Sequence, residues 1–210
     1  MSGLSPRATA VVYQVTARAV DYPDEELLAS LPMLRAALDE VPAGSAEPLA
    51  RLLSHLGDTS PGVLAADYVA TFDLRRRCCL YLSYYAYGDT RKRGVALLAF
   101  KRAYRQAGVE LATIELPDHL SVILEFAATT DLAAGRALLL EHRAGVELLR
   151  LALQDAASPY ADAVAAVTAT LPALRGDERQ AVARLAAEGP PGEDVGLEPF
   201  APPDLMGART

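Results

Sequence analysis

Apolar side chains recur every three to four residues through most of this chain, in blocks closed by proline or glycine, and no strict alternation persists over the length of a strand. Between Arg91 and Ala107, for example, Leu97, Phe100, Tyr104 and Ala107 share one helical face, with Lys101, Arg102 and Arg105 beside it. Between Asp118 and Ala128, Leu120, Ile123, Leu124 and Ala127 repeat at the same spacing, and Val122 and Phe126 make the opposite face apolar too. A helix apolar on both faces belongs at the centre of a domain. The hydrophobic fraction of 51% rests largely on alanine and leucine, which lose little side-chain freedom in a helix. The fold expected is therefore all-α: a single-domain bundle of about eight or more helices over residues 1–188.

The punctuation places the helices. A first helix runs from about Pro6 to Val20 and stops before Tyr22-Pro23, because the residue before proline avoids the helical region. Asp24-Glu25-Glu26 sets carboxylates in the first turn of a second helix that ends near Glu40, where the helix dipole favours them. A third spans Glu47 to Leu56, and Ser60-Pro61 opens a fourth through Tyr68 and Phe72. Cys78 to Tyr87 reads either as a short buried helix or as irregular structure, and Gly108 closes the basic helix that follows. Asp131 caps one long helix reaching Leu153, Ser158-Pro159 opens another, and Asp177 to Glu188 is the last. Residues 189–210 are acidic and rich in proline and glycine, a composition that buries little surface, so a mobile tail is expected there.

The net charge of −7 is unevenly spread. Nine of the 20 Lys/Arg fall between Arg75 and Arg105 against one acid, Asp89, so a basic island sits on an acidic body. Such an island is either a solvated helix face or a charge-guided contact. The acidic remainder would repel phosphate, which argues against nucleic acid as a partner. No run approaches the roughly 18 to 20 apolar residues needed to cross a bilayer, and the first 22 residues lack the apolar core of a signal peptide, so no stable membrane insertion is expected. The two cysteines, Cys78 and Cys79, are adjacent, a poor geometry for a structural disulfide, and suit a reducing, cytoplasmic compartment.

Motifs of small-molecule chemistry are absent: no GxxxxGK[ST] loop, no GxGxxG, no CxxC, no GxSxG, and three histidines on separate elements. Cys78 beside Arg75–Arg77 has the charge surroundings of an activated thiol but equally those of a small buried hydrophobe, and no metal or cofactor site is expected. One constellation stands out, Glu115-Leu116-Pro117-Asp118-His119-Leu120. Two acids and an imidazole at a helix start suit acid–base chemistry, a metal or a cationic peptide; equally, Asp118 serves as a cap and His119 as a packing residue.

The run from Asp67 to Tyr85, with Asp73-Leu74-Arg75-Arg76-Arg77-Cys78-Cys79 at its centre, resembles the signature of the NarJ-type nitrate reductase molybdenum cofactor assembly chaperones. Gly88-Asp89-Thr90-Arg91-Lys92-Arg93-Gly94 and Glu115–Leu120 followed by Leu124-Glu125-Phe126 are similar to the same family, in the same order, so the resemblance spans roughly Tyr68 to Ala128. It implies an all-helical fold shared with TorD/DmsD-like chaperones, no enzymatic activity and no cofactor of its own. It also implies binding to the apo catalytic (alpha) subunit of respiratory nitrate reductase, chiefly through that subunit's N-terminal peptide. The chaperone would assist molybdenum cofactor insertion, with cofactor delivery proteins as further partners, and hold the subunit back from its membrane anchor. The family's Pro-Asp-His motif falls on Pro117, Asp118 and His119, with Glu115 ahead of it, and its aromatic pocket on Tyr68 and Phe72. The chain has no tryptophan, which related chaperones use in that pocket, so Tyr81, Tyr84 and Tyr85 are the substitute anchors. Two other functions are open at this point: a chaperone of the same fold serving a dimethyl sulfoxide or trimethylamine oxide reductase, and a nucleotide or small-molecule enzyme using Asp118 and His119.

Overall fold

Three helices open on a side-chain oxygen that accepts from a first-turn N–H. Ser5 Oγ accepts from the amide of Ala8 at 3.1 Å and Pro6 occupies the first turn, opening α1 (Pro6–Ala19). Asp24 Oδ1 accepts from Leu27 N at 2.8 Å at the start of α2 (Glu25–Ala37), and Asp131 Oδ1 from Ala134 N at 2.9 Å further on. The computed structural model describes residues 3–111 and 115–189. After α2 come a 3-10 turn (Leu38–Glu40), α3 (Ala43–Asp58) and α4 (Pro61–Tyr68), which runs on into a π-helical turn (Val69–Asp73). A second 3-10 turn (Arg76–Cys78) leads to α5 (Leu82–Tyr87) and α6 (Arg91–Gln106). The rest is α7 (Leu120–Thr129), α8 (Leu132–Glu141), α9 (Arg143–Asp155), α10 (Ala161–Ala169) and α11 (Gly176–Glu188).

This is the expected all-α bundle, with eleven α-helices among the described residues and, in place of strands, one isolated antiparallel bridge between Tyr81 and His119. The centre is α1 against α7. Val12, Tyr13, Val15 and Ala19 of the first and Leu120, Ile123 and Leu124 of the second are fully or almost fully buried, as the two-faced apolar pattern of α7 requires. Around that pair, α8 packs on α7, α10 on α1, α3 and α9, and α11 on α9. No helix among the described residues is long and apolar enough to cross a membrane.

Two details differ from the sequence expectation. The single helix expected from Asp131 to Leu153 is two, α8 and α9, meeting at His142 (φ −103°, ψ 23°). The halves serve different neighbours, α8 lying on α7 and α9 on α5, α10 and α11, and the buried His142 ring stacks on Phe100 at 4.9 Å. The third helix starts at Ala43, four residues earlier than expected, and carries Pro48 inside it. Two glycines permit close approaches. A Cβ on Gly135 would collide with Ala127 where α8 crosses α7, and one on Gly145 would press on the Tyr85 ring at 3.0 Å. The expected tail lies outside the described residues apart from Gly189.

Candidate functional site

The Tyr81–His119 bridge ties the start of α5 to the start of α7. Leu82 N donates to the Asp118 carbonyl at 3.0 Å and Leu120 N to the Leu80 carbonyl at 2.8 Å. The Asp118 side chain has no solvent exposure. Its Oδ2 accepts from Ser83 Oγ at 2.5 Å and from Ser83 N at 3.2 Å, with Arg93 Nη2 at 3.6 Å. Tyr81 and His119, the residues preceding α5 and α7, make no side-chain cap. Asp118 therefore does not cap the helix it precedes; it caps the neighbouring α5, placing a carboxylate against that helix's positive end. Arg93 completes the frame, with Nε donating to Ser83 Oγ at 3.2 Å and Nη1 to Asp89 at 3.2 Å. Tyr104 of α6 donates to the Pro117 carbonyl at 2.6 Å.

Outside this frame lies a polar rim. Tyr81 OH reaches the Glu115 carboxylate at 3.3 and 3.4 Å, and His119 Nε2 lies 3.5 Å from it. His119 Nδ1 pairs with Ser121 Oγ at 2.7 Å, and the His119 ring meets the Tyr81 ring edge-on at 5.1 Å. The Arg93 guanidinium sits 5.3 Å from the Tyr81 ring centroid. Burial holds the His119 imidazole below its ordinary pKa, against the pull of Glu115 and Asp118. Burial and the Glu115 charge push the Tyr81 phenol up to about 12. Asp118 is fully buried with its Oδ2 held by Ser83 and Arg93, so it is not presented at the surface as an acid or base beside His119. Burial also raises both the Cys78 and Cys79 thiols, the opposite of nucleophile activation. No group of three or more His, Cys, Asp or Glu among the described residues is placed to hold a metal ion.

Glu115 and Ser121 also line an open cleft of about 530 Å³ between the end of α1, the segment following α6, and α7. Val122 and Phe126 of α7, with Val109 and Leu111, give it an apolar lining. Asp21, Glu110, Glu115 and Glu125 stand around it, with no Lys or Arg among the described lining residues. Asp21 is half-buried and 3.3 Å from Arg18; burial still raises its carboxyl pKa, with Ser121 and Arg18 opposing. Apolar lining plus clustered carboxylates is the surface that an amphipathic, cationic segment fits.

An aromatic cluster adjoins Asp21. Tyr68 OH donates to the Val20 carbonyl at 3.2 Å, and its ring packs on Phe72 (4.8 Å), Tyr22 (5.4 Å) and Tyr160 (6.0 Å). Burial and the Asp21 charge raise the Tyr68 phenol strongly. The structure thus groups Tyr81, Glu115, Pro117, Asp118 and His119 at one junction, puts Tyr68 and Phe72 in the adjoining cluster, and sets Tyr84 apart, buried against Tyr85 at 6.0 Å. Tyr85 is structural too, its hydroxyl donating to the Arg77 and Cys79 carbonyls at 2.9 Å each. Sequence reasoning missed Asp21, Tyr22 and Glu125. The signal for Glu125 was a lone acid inside the otherwise apolar α7.

The sequence pattern of the nitrate reductase delta subunit family matches residues 38–166. The chain belongs to this family. In the delta subunit fold seen here the matched stretch runs from the 3-10 turn after α2 into α10, so it contains the Asp118 frame and the rim but not Asp21 or Tyr22. The chain is 44% identical over 160 residues to the nitrate reductase-like protein NarX of Mycobacterium tuberculosis, covering 76% of this chain and 24% of NarX. It thus spans about a quarter of that relative's length. A Bacillus subtilis protein assigned as the nitrate reductase molybdenum cofactor assembly chaperone NarJ is 35% identical over 156 residues, covering 72% of this chain and 83% of the relative. The fold is shared with a crystal structure of a protein assigned to redox enzyme maturation in Archaeoglobus fulgidus, with a TM-score of 0.57, 23% identity, and coverage of 80% of this chain and 94% of that one.

Proposed function

We propose that this delta-family chain is a cytoplasmic assembly chaperone, not an enzyme, for the catalytic subunit of a nitrate reductase. It binds that subunit's N-terminal peptide, keeps the subunit open while the molybdenum cofactor is inserted, and delays docking at the membrane anchor. Cofactor delivery proteins meet the client while the chaperone holds it. The observation that carries the reading is the cleft beside the Glu115–His119 rim, where Val109 and Val122 offer apolar contact and Asp21, Glu115 and Glu125 offer carboxylates to a basic, amphipathic segment. Asp118 and Pro117 act from behind, by fixing the start of α7; Tyr22, 49% exposed, and the half-buried Tyr81 are the aromatic side chains within a peptide's reach.

Calorimetric titration with a synthetic peptide spanning the N-terminus of the cognate catalytic subunit tests this. Glu125→Lys should weaken binding on the order of tenfold or more, since it both removes an attraction and adds a repulsion in a partly desolvated cleft. Val109→Ser, on the half-buried wall of the cleft, should weaken it through lost apolar contact, whereas Phe126, 5% exposed and packed on Tyr104, belongs to the core and is left intact. Native affinity in Glu125→Lys would place the peptide elsewhere. Binding confined to the signal peptide of a dimethyl sulfoxide or trimethylamine oxide reductase would keep the chaperone role and change the client.

A further inference from the structure

Six of the nine cations of the basic island lie on α6, and five of those six are exposed. In α6 the inward side carries Phe100, Tyr104 and Arg93, the last spent on Asp89 and the Asp118 frame. The opposite side, half a turn from Phe100, is the line Arg91, Val95, Leu98, Arg102 and Arg105. Val95 is 70% exposed and Leu98 53%, the three arginines are exposed, and Lys92 and Lys101 flank the line. Not one acid occurs in the 16 residues of α6, so no i,i+4 partner within the helix neutralises these cations. Arg91, Lys92 and Arg93 moreover fill the first turn, where the helix dipole disfavours positive charge, and Thr90 donates its hydroxyl to the Tyr87 carbonyl and makes no cap. Folding alone does not call for this arrangement.

We infer that the outer face of α6 is a peripheral docking surface for an anionic lipid bilayer. Two aliphatic side chains are too few for the dry core of a protein–protein interface, which buries about 800 Å² on each partner. They are enough to dip into a headgroup layer while five flanking cations stay at phosphate level, the posture of an interfacial amphipathic helix. The charge distribution favours this orientation: the outer face of α6 presents five cations, and the acid placed beside it, Glu141, sits at the edge of the face in the shallow pocket shared by Lys92 and Val95. The contact needs no membrane-crossing helix.

Co-sedimentation of the full chain with vesicles tests it. The native protein should bind vesicles containing about one-third phosphatidylglycerol, release them as salt is raised, and ignore pure phosphatidylcholine. Arg91→Glu/Arg102→Glu/Arg105→Glu should lower the partition coefficient on the order of a hundredfold, at about fivefold for each cation lost. Position 91 gains from an acid in the first turn of α6, whereas acids at 102 and 105 oppose the dipole near its C-terminal end, so the triple variant is compared with Arg102→Gln/Arg105→Gln, which removes charge there without reversing it, and both are checked for native far-UV circular dichroism. Val95→Asn/Leu98→Asn should weaken partition with every charge kept. Absence of native binding to the anionic vesicles, or binding that survives the charge reversal, overturns the assignment. If the native chain ignores vesicles but binds a polyglutamate peptide through the same arginines, the face is a protein-docking surface and the lipid assignment falls.

Discussion

Replacing Asp118 by alanine separates a framing role from a contact role. The side chain is wholly buried, accepts two hydrogen bonds from Ser83, and is a counter-charge to Arg93, whose own side chain is only 17% exposed. Hydrogen bonds to a charged group contribute about 1.5–3 kcal/mol each, and deleting Asp118 also takes the nearby carboxylate from Arg93 Nη2, Asp89 at 3.2 Å from Nη1 being the counter-charge that remains. The lost desolvation penalty of the carboxylate offsets part of this. The net expectation for Asp118→Ala is a loss of about 3–5 kcal/mol, a large share of a domain's stability. Asp118→Asn keeps an acceptor for Ser83 and forfeits only the charge assistance, so it should lose roughly half as much. Urea unfolding followed by far-UV circular dichroism and tyrosine fluorescence reads both; the chain has nine tyrosines and no tryptophan. Ser83→Ala in the Asp118→Ala background should add little, since the two residues share one interaction. The reasoning fails if Asp118→Ala loses less than about 1 kcal/mol while client-peptide affinity collapses, for then the carboxylate reaches the peptide directly.

Two further outcomes follow from the packing and the buried histidines. Gly135→Ala, which in an open helix would stabilise by up to about 1 kcal/mol, should here destabilise by about 1–3 kcal/mol in a thermal melt, because the new methyl overlaps Ala127; Ala127→Gly should recover only part of the loss, since the Ala127 Cα would still lie 2.7 Å from that methyl. His119 and His142 both have their pKa lowered by burial, so below about pH 6.5 the unfolded chain binds more protons than the folded one, and stability is complete above that pH and declines as pH falls through it. The raised Asp21 carboxyl acts in the opposite sense, starting from a lower pH. A urea midpoint that stays flat between about pH 7.5 and pH 5.5 would contradict the histidine assignment.

How much of this was legible in the sequence depends on whether the deciding interaction is local. Ser5-Pro6, Asp24 and Asp131 announce their helices because a cap bonds an amide three residues away. The break at His142 left no mark, because Leu139 and Val146 continue one apolar stripe across it and the reason for bending is that α8 and α9 answer to different partners. The Glu115–His119 motif was visible as a constellation, but the role of Asp118 was not, since the amide it caps belongs to Ser83, 35 residues earlier. From the sequence, an aspartate before a helix looks the same whether it caps its own helix or the next one. The cleft divides in the same way. Glu115 and His119 lie within one short motif, whereas Asp21 sits in what reads only as the end of α1 and Glu125 as a lone acid in a helix that otherwise reads as core; folding alone brings Asp21, Glu115 and Glu125 to one opening. A recognisable motif here marks the scaffold that holds α5, α6 and α7 in register, and the carboxylates that would read a client sit partly on elements beyond it, such as the Asp21 end of α1, outside the family's matched region. Changing residue 21 or 125 would alter the charge of the cleft without touching Ser83, Arg93 or Tyr104, so the charge of the opening and the frame behind it are physically separable.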